Sequence, residues 1–183
     1  MAETDDPTHD WVRRMPIAAP SAWRDVAGPS LRGLRGVGFD LDSELLLVEW
    51  ASGKSLVDCA TGQRVAHDPD AAITPEEEVR LESHGIGPLA GKIVRVCGLF
   101  GGGLPLMTLD GWTVELVHHH WPYLASVVLA PRGLSIWEPT QIRHCFKLAE
   151  TEAPRACGFS HTGQSFVLAR GHVLQIWTRA WEA

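Results

Sequence analysis

Long apolar runs are missing from this 183-residue chain. Nothing approaches the roughly 20 consecutive apolar residues that a membrane-spanning helix needs, which argues against a membrane protein of that kind. Paired cysteines are missing too. Cys59, Cys97, Cys145 and Cys157 stand alone with no C-x-x-C spacing, which removes the usual zinc and dithiol motifs. The first ten residues carry Glu3, Asp5, Asp6 and Asp10 and no apolar signal core, so a cytoplasmic location with reduced, buried thiols is expected. Basic charge is in the minority. Sixteen Lys and Arg against 22 Asp and Glu give a net charge of −6 and a pI near 5.8. That balance disfavours non-specific binding to nucleic acid or an anionic membrane, and suits a basic protein partner.

Catalytic motifs are scarce as well. Leu99-Phe100-Gly101-Gly102-Gly103 lacks the Lys-Ser/Thr ending of a phosphate loop and runs into Leu104-Pro105 rather than a helix, so it reads as a tight turn. The stretch from Gly158 to Gly163 has the wrong spacing for a nucleophile elbow and leads into a strand. Asp110, Glu115, Glu138 and Glu44 form no recognisable acid/base pair. No motif implies a cofactor.

What the chain does contain is β texture. Residues 1–30, broken by Pro7, Pro16, Pro20 and Pro29, read as an irregular arm anchored by Trp11 and Trp23. From Leu31 onward short apolar stretches alternate with turns: Val37-Gly38-Phe39, Leu45 to Trp50, Ser55 to Asp58, Gln63 to Ala66. Residues 67–92 interrupt the pattern. Thr74-Pro75-Glu76-Glu77 supplies an N-cap, a first-turn proline and a capping-box glutamate, predicting a helix of two to three turns that stops near Gly85. Asp110-Gly111 between Leu104–Leu109 and Trp112–Val117 predicts a hairpin with both central residues at positive φ. Ser126–Leu129, Leu134–Trp137 and Ile142–Leu148 are expected as further neighbouring strands, followed by Cys157–Phe159, Ser165–Ala169 and Val173–Trp177.

The first and last of these units match. Gly38 to Val48 aligns with Gly158 to Leu168 without a gap, and a shorter following turn then aligns Gly53 with Gly171 and Leu56 with Leu174. Such internal similarity marks a repeat architecture. Phe159-Ser160 with Thr162-Gly163, Leu174-Gln175-Ile176-Trp177, Val57-Asp58 before Thr61-Gly62, and Leu134 to Glu138 together resemble the blades of WD-repeat β-propellers. The expected Gly-His pair is absent and the spacing is uneven over residues 67–125. The chain also looks similar to uncharacterised bacterial proteins with the same hairpins, a likeness that implies no activity. The resulting expectation is an all-β fold: a small propeller-like array of about four antiparallel blade units over residues 31–183, with one short helix inserted at 67–92. A closed small propeller, a propeller-like assembly completed by dimerisation and a β-sandwich of repeated hairpins are all left open.

Two chemical readings remain. His118-His119-His120 sits on a strand where alternation puts His118 and His120 on one face, a pair able to ligate a metal; no carboxylate follows in the Trp121-Pro122-Tyr123 continuation, and a divalent site needs three or four ligands. The other reading is a non-enzymatic protein-interaction module, most concretely a toxin-neutralising immunity protein binding a basic toxin through its loops. Its candidate contacts are Glu76, Glu77 and Glu78 with Trp121 and Tyr123. Self-association through the loop rim is a third reading. Of the eight tryptophans, Trp50, Trp112, Trp137 and Trp177 fit core packing, and Trp11, Trp23, Trp121 and Trp181 lie near loops or termini.

Overall fold

The computed structural model describes residues 7–120, 124–152 and 154–179; Trp121, Tyr123 and Trp181 lie outside them. In chain order the elements are α1 (Pro7–Arg14), β1 (Arg24–Val26), β2 (Leu34–Phe39), β3 (Leu45–Trp50), β4 (Gly53–Asp58), β5 (Gln63–Asp68), α2 (Pro75–Arg80), β6 (Glu82–His84), β7 (Ile93–Arg95), β8 (Cys97–Gly98), β9 (Thr113–His120), β10 (Leu124–Ala130), β11 (Phe146–Thr151), β12 (Ala156–Phe159), β13 (Ser165–Ala169) and β14 (Leu174–Thr178). The protein is mainly β, with antiparallel sheets in the orders β5-β4-β3-β2-β8, β1-β14-β13-β12, β11-β10-β9 and β6-β7. No sheet closes on itself and the described residues form no closed propeller. No helix among them is long and apolar enough to cross a membrane.

Contacts gather the chain into two compact units. The larger holds residues 22–105 and the segment from Pro154 onward; the smaller holds the chain up to Ser21 together with 106–153. Residues 7–30, expected to be irregular, contain α1 and β1. Pro7 opens α1 at a position where a missing N–H costs nothing, and Arg13 and Arg14 complement the negative end of its dipole.

In the larger unit the sequence repeat is a structural one. Gly38 pairs with Leu47 and Phe39 with Leu46; Gly158 pairs with Val167 and Phe159 with Phe166. On the next strand Leu47 pairs with Leu56, and Val167 with Ile176. Every partner is displaced by the same 120 positions, with no gap. Leu56 therefore corresponds to Ile176 and Gly53 to Val173, not to Leu174 and Gly171 as the shorter-turn alignment has it. The registers are locked because both strands of each hairpin are buried, and a one-residue slip would turn core side chains outward. The outer strand beside β4 is β5, whereas the outer strand beside β14 is the early segment β1. Val37, Leu46, Val48 and Val57 from one sheet share a core with Val167, Ala169, Leu174 and Ile176 from the other. Trp23, Phe159, Phe166 and Trp177 line up through the last sheet at centroid spacings of 5.7, 5.3 and 5.5 Å.

The region 67–92 is shorter in helix and richer in strand than its sequence predicts. The capping box forms: Thr74 Oγ1 accepts from Glu77 N, and Glu77 accepts from Thr74 N. Yet α2 has only six residues. It stops at Leu81, a non-glycine residue with φ 55°, whose N–H bonds the carbonyls of Glu77 and Glu78. The chain then turns at once into β6, which pairs with β7, so Gly85 belongs to the β6–β7 connection rather than the helix end.

In the smaller unit β9, β10 and β11 form a meander. The Asp110-Gly111 turn is present, though of another type. Gly111 N bonds Thr108 O, Thr108 N bonds Trp112 O, and only Gly111 has positive φ, 94°. This is a three-residue loop with a glycine bulge rather than a two-residue turn. Its first arm makes only an isolated bridge at Met107 and one further bond at Leu106. Leu134–Trp137 is not a strand. Pro131 and Gly133 turn the chain, Ile136 buries itself in a loop, and the place beside β10 goes to β11.

Candidate partner-binding groove

The repeat builds a groove on the larger unit. The β2–β3 turn begins with Asp40, whose N–H bonds Leu45 O at 2.9 Å; the equivalent β12–β13 turn begins with Ser160, whose N–H bonds Ser165 O at 2.8 Å. Glu44 ties the two together, its Oε1 accepting from Ser160 Oγ at 3.3 Å and from Thr162 Oγ1. Leu41 and His161, equivalent residues at the tips of these turns, both line a groove of about 1000 Å³. Its remaining walls are two crossing segments, Lys92–Arg95 and Gly103–Pro105. Each crosses a glycine of the repeat: a Cβ on Gly38 would lie 2.1 Å from Arg95 O, and one on Gly158 would lie 2.7 Å from Pro105 O. Glycine is required in both places because a backbone occupies the space of the side chain.

The groove has an apolar floor and a charged rim. Phe39, Val94 and Leu104 are buried beneath it, whereas Leu41 is 67% and Ile93 52% exposed. Asp40 Oδ1 accepts from Lys92 Nζ at 2.8 Å and its Oδ2 from Ser43 Oγ at 2.7 Å. Burial pushes the Asp40 carboxyl up, but Lys92 and Ser43 outweigh it and leave the group below its ordinary range. Asp42 adds a negative charge on the same turn, and Glu82 faces Arg95 across the β6–β7 pair. Such a surface offers apolar contact area with charges that orient a ligand.

The three glutamates of α2 have different fates. Glu76 lies on the surface, paired with Arg80 at 2.8 Å. Glu78 pairs with Arg35. Glu77 faces inward at 6% exposure, where its Oε1 accepts from Lys54 Nζ at 2.7 Å, His84 N at 2.9 Å and His84 Nδ1 at 3.0 Å. Burial raises its pKa, but Lys54, the Thr74 and His84 backbone and the His84 ring together hold the carboxyl far below its ordinary range. Glu77 thus organises the fold, leaving Glu76 as the member of the trio open to a partner. Glu49, buried beside Lys54 on the neighbouring strand, has its carboxyl pushed up by burial.

His118 and His120 lie on β9 in the smaller unit, but a bulge separates them: His120 pairs with Leu124 and His118 with Ala125. The strict alternation predicted for this strand therefore breaks, and His119 is the buried member of the run. No group of three His, Cys, Asp or Glu side chains able to hold a metal occurs among the described residues. The four cysteines are free and buried.

Sequence reasoning passed over Leu41, Lys92, Ile93, Arg95 and His161. The one available signal was the Gly-Phe repeat, which fixes Leu41 and His161 as equivalent turn tips. The crossing segments carry no such signature. No protein-family model matches the chain. No curated protein and no solved structure matches it either.

Proposed function

We propose that this chain is a non-enzymatic protein-interaction module that receives a segment of a partner in the groove between its two equivalent turns. The observation that carries this reading is the exposure of Leu41 and Ile93 directly over the buried floor of Phe39, Val94 and Leu104. Large apolar side chains held open above a packed core, with charges around them, form the kind of patch that marks association sites. The net charge of −6 favours a basic partner and faster encounter with it. The most concrete version is an immunity protein that neutralises a basic toxin, with Glu76 on the adjoining surface assisting approach.

The test is to place a photo-crosslinking residue at Ile93, capture partners from the native lysate and identify them by mass spectrometry. Binding of the captured protein is then measured for the wild type and for Leu41→Asp. A basic protein whose affinity drops at least tenfold in Leu41→Asp supports the reading, because a buried hot-spot contact is worth about 2 kcal/mol or more. Equal affinity in the two proteins removes the groove from the interface.

A further inference from the structure

Helix α1 is held in the smaller unit by a short set of contacts. Val12 is wholly buried in a cluster with Val117, Val128, Ile136 and Ile142. Lys147 on β11, itself buried, donates from Nζ to the carbonyls of Val12 at 3.2 Å and Arg13 at 3.1 Å. That places a cation at the negative end of the helix, bonded to carbonyls of its last turn. Arg13 Nη2 donates to His119 O at 3.2 Å, and the His9 ring stands edge-on to the His119 ring at 6.0 Å.

His119 lies beneath this helix at 6% exposure. Its Nε2 is 2.8 Å from Ser126 Oγ on β10, and its buried Nδ1 has no hydrogen-bond partner among the described residues. A neutral ring leaves one nitrogen unsatisfied there. A protonated ring is worse, because both nitrogens then donate and Nδ1–H has no acceptor. The charged groups around it are two cations, each drawn to a carboxylate. Arg13 and His9 face it from α1, where Asp10 is drawn to Arg13 at 3.7 Å. Lys147 and Glu150 face it from β11, with Glu150 Oε1 occupied by Lys147 at 2.8 Å. His118 and His120 flank it on β9, and β10 presents the uncharged Ser126.

We infer that α1 is a pH-operated latch: protonation of His119 detaches the helix from β9 and bares the apolar face that Val12 covers. Burial first, and then Arg13, His9 and Lys147, depress the His119 pKa, with Glu150 opposing. The undocked ring titrates near its ordinary value of about 6.5. Docking is therefore at full strength above that pH and weakens about tenfold per pH unit as acid lowers it toward the docked value.

Hydrogen–deuterium exchange of the full chain at about pH 7.5 and about pH 5.5, corrected for intrinsic amide rates, tests this. Residues 8–15 are expected to exchange faster at the lower pH, by up to about tenfold, with β13 and β14 little changed. His119→Gln retains a partner for Ser126 but takes up no proton, and is expected to abolish the difference. An NMR titration of the His119 ring in the wild type gives a readout that does not depend on the variant folding; its midpoint should lie below the ordinary imidazole value, with loss of α1 protection setting in as the ring charges. Equal protection of residues 8–15 at both pH values overturns the latch. So does a wild-type response in folded His119→Gln, or a His119 ring that charges while α1 stays protected.

Discussion

Gly38 and Gly158 occupy the same place in two sheets, each directly beneath a crossing backbone carbonyl, that of Arg95 and that of Pro105. The groove owes its shape to this pair, since the crossing segments form its walls. A methyl group at Gly38 meets Arg95 O at 2.1 Å, whereas at Gly158 the nearest atom is the Leu104 Cβ at 2.5 Å. Gly38→Ala and Gly158→Ala are each expected to lose about 1–3 kcal/mol, as overpacked sites do. Gly38→Ala should be the more damaging because its methyl group would lie nearer the crossing carbonyl, 2.1 Å against 2.7 Å. Urea unfolding of the two variants measures both values and their order.

The buried pair Lys54–Glu77 leads to a second expectation. Lys54 is 2% exposed and approaches Glu77 at 2.7 Å. Lys54→Met leaves a buried carboxylate without its cation and is expected to cost about 3–5 kcal/mol, the usual penalty for breaking a buried pair from one side. Chemical denaturation at neutral pH reads this directly. A loss under 1 kcal/mol would mean that the hydrogen bonds from Thr74 and His84 suffice to hold the charge.

The same glutamate sets a pH dependence. Its carboxyl is depressed in the folded protein, so its contribution is complete above the ordinary carboxylate value, near 4.5. It declines as the pH falls below that value toward the folded one. Wild-type stability is therefore expected to fall more steeply between about pH 4.5 and about pH 2 than that of Glu77→Gln. Parallel slopes in the two proteins would exclude Glu77 as the source.

Glu49 has the opposite sign. Burial raises its carboxyl, so charging it costs stability once the pH exceeds the ordinary carboxylate range. Glu49→Gln should be as stable as the wild type or more so at pH 7, by up to about 1 kcal/mol, and this gain should vanish in acid. Thermal denaturation at the two pH values distinguishes this from a simple packing effect.

Thiol chemistry offers an independent check on the core. Burial drives the Cys97 and Cys145 thiols up to about 11 and Cys157 to about 12, and Cys59 is also raised by burial. The native protein is expected to resist alkylation at pH 8, and all four cysteines should react once it is denatured. Rapid labelling of Cys59 or Cys157 in the native state would contradict the packing around β4 or β12.

The sequence carried the β class, the capping box and the Gly-Phe repeat, because each is a local pattern with a local cause. Thr74, Pro75 and Glu77 announce a helix start whatever surrounds them. Its length was not legible, since Leu81 takes a left-handed conformation in order to enter β6, a tertiary demand. Leu134–Trp137 has an apolar, strand-like composition, yet β11 outcompetes it for the edge of β10. The groove was legible only through its glycines: nothing in Lys92–Arg95 or Gly103–Pro105 shows that these segments cross the two repeats. Whether the units close into a ring was not legible, because blade-like hairpins are local, whereas closure depends on how many sheets the chain can complete.

The pairing of β1 with β14 imposes an order of events on biosynthesis. A ribosome makes residues 24–26 long before residues 174–178, so the sheet that joins them cannot be completed until β14 has left the exit tunnel. The smaller unit's strands, β9 to β11, emerge in between and lie close together in sequence, which lets them assemble while translation continues. Until β14 arrives, β1 is a nascent strand without its partner, its backbone N–H and C=O groups open to pairing elsewhere.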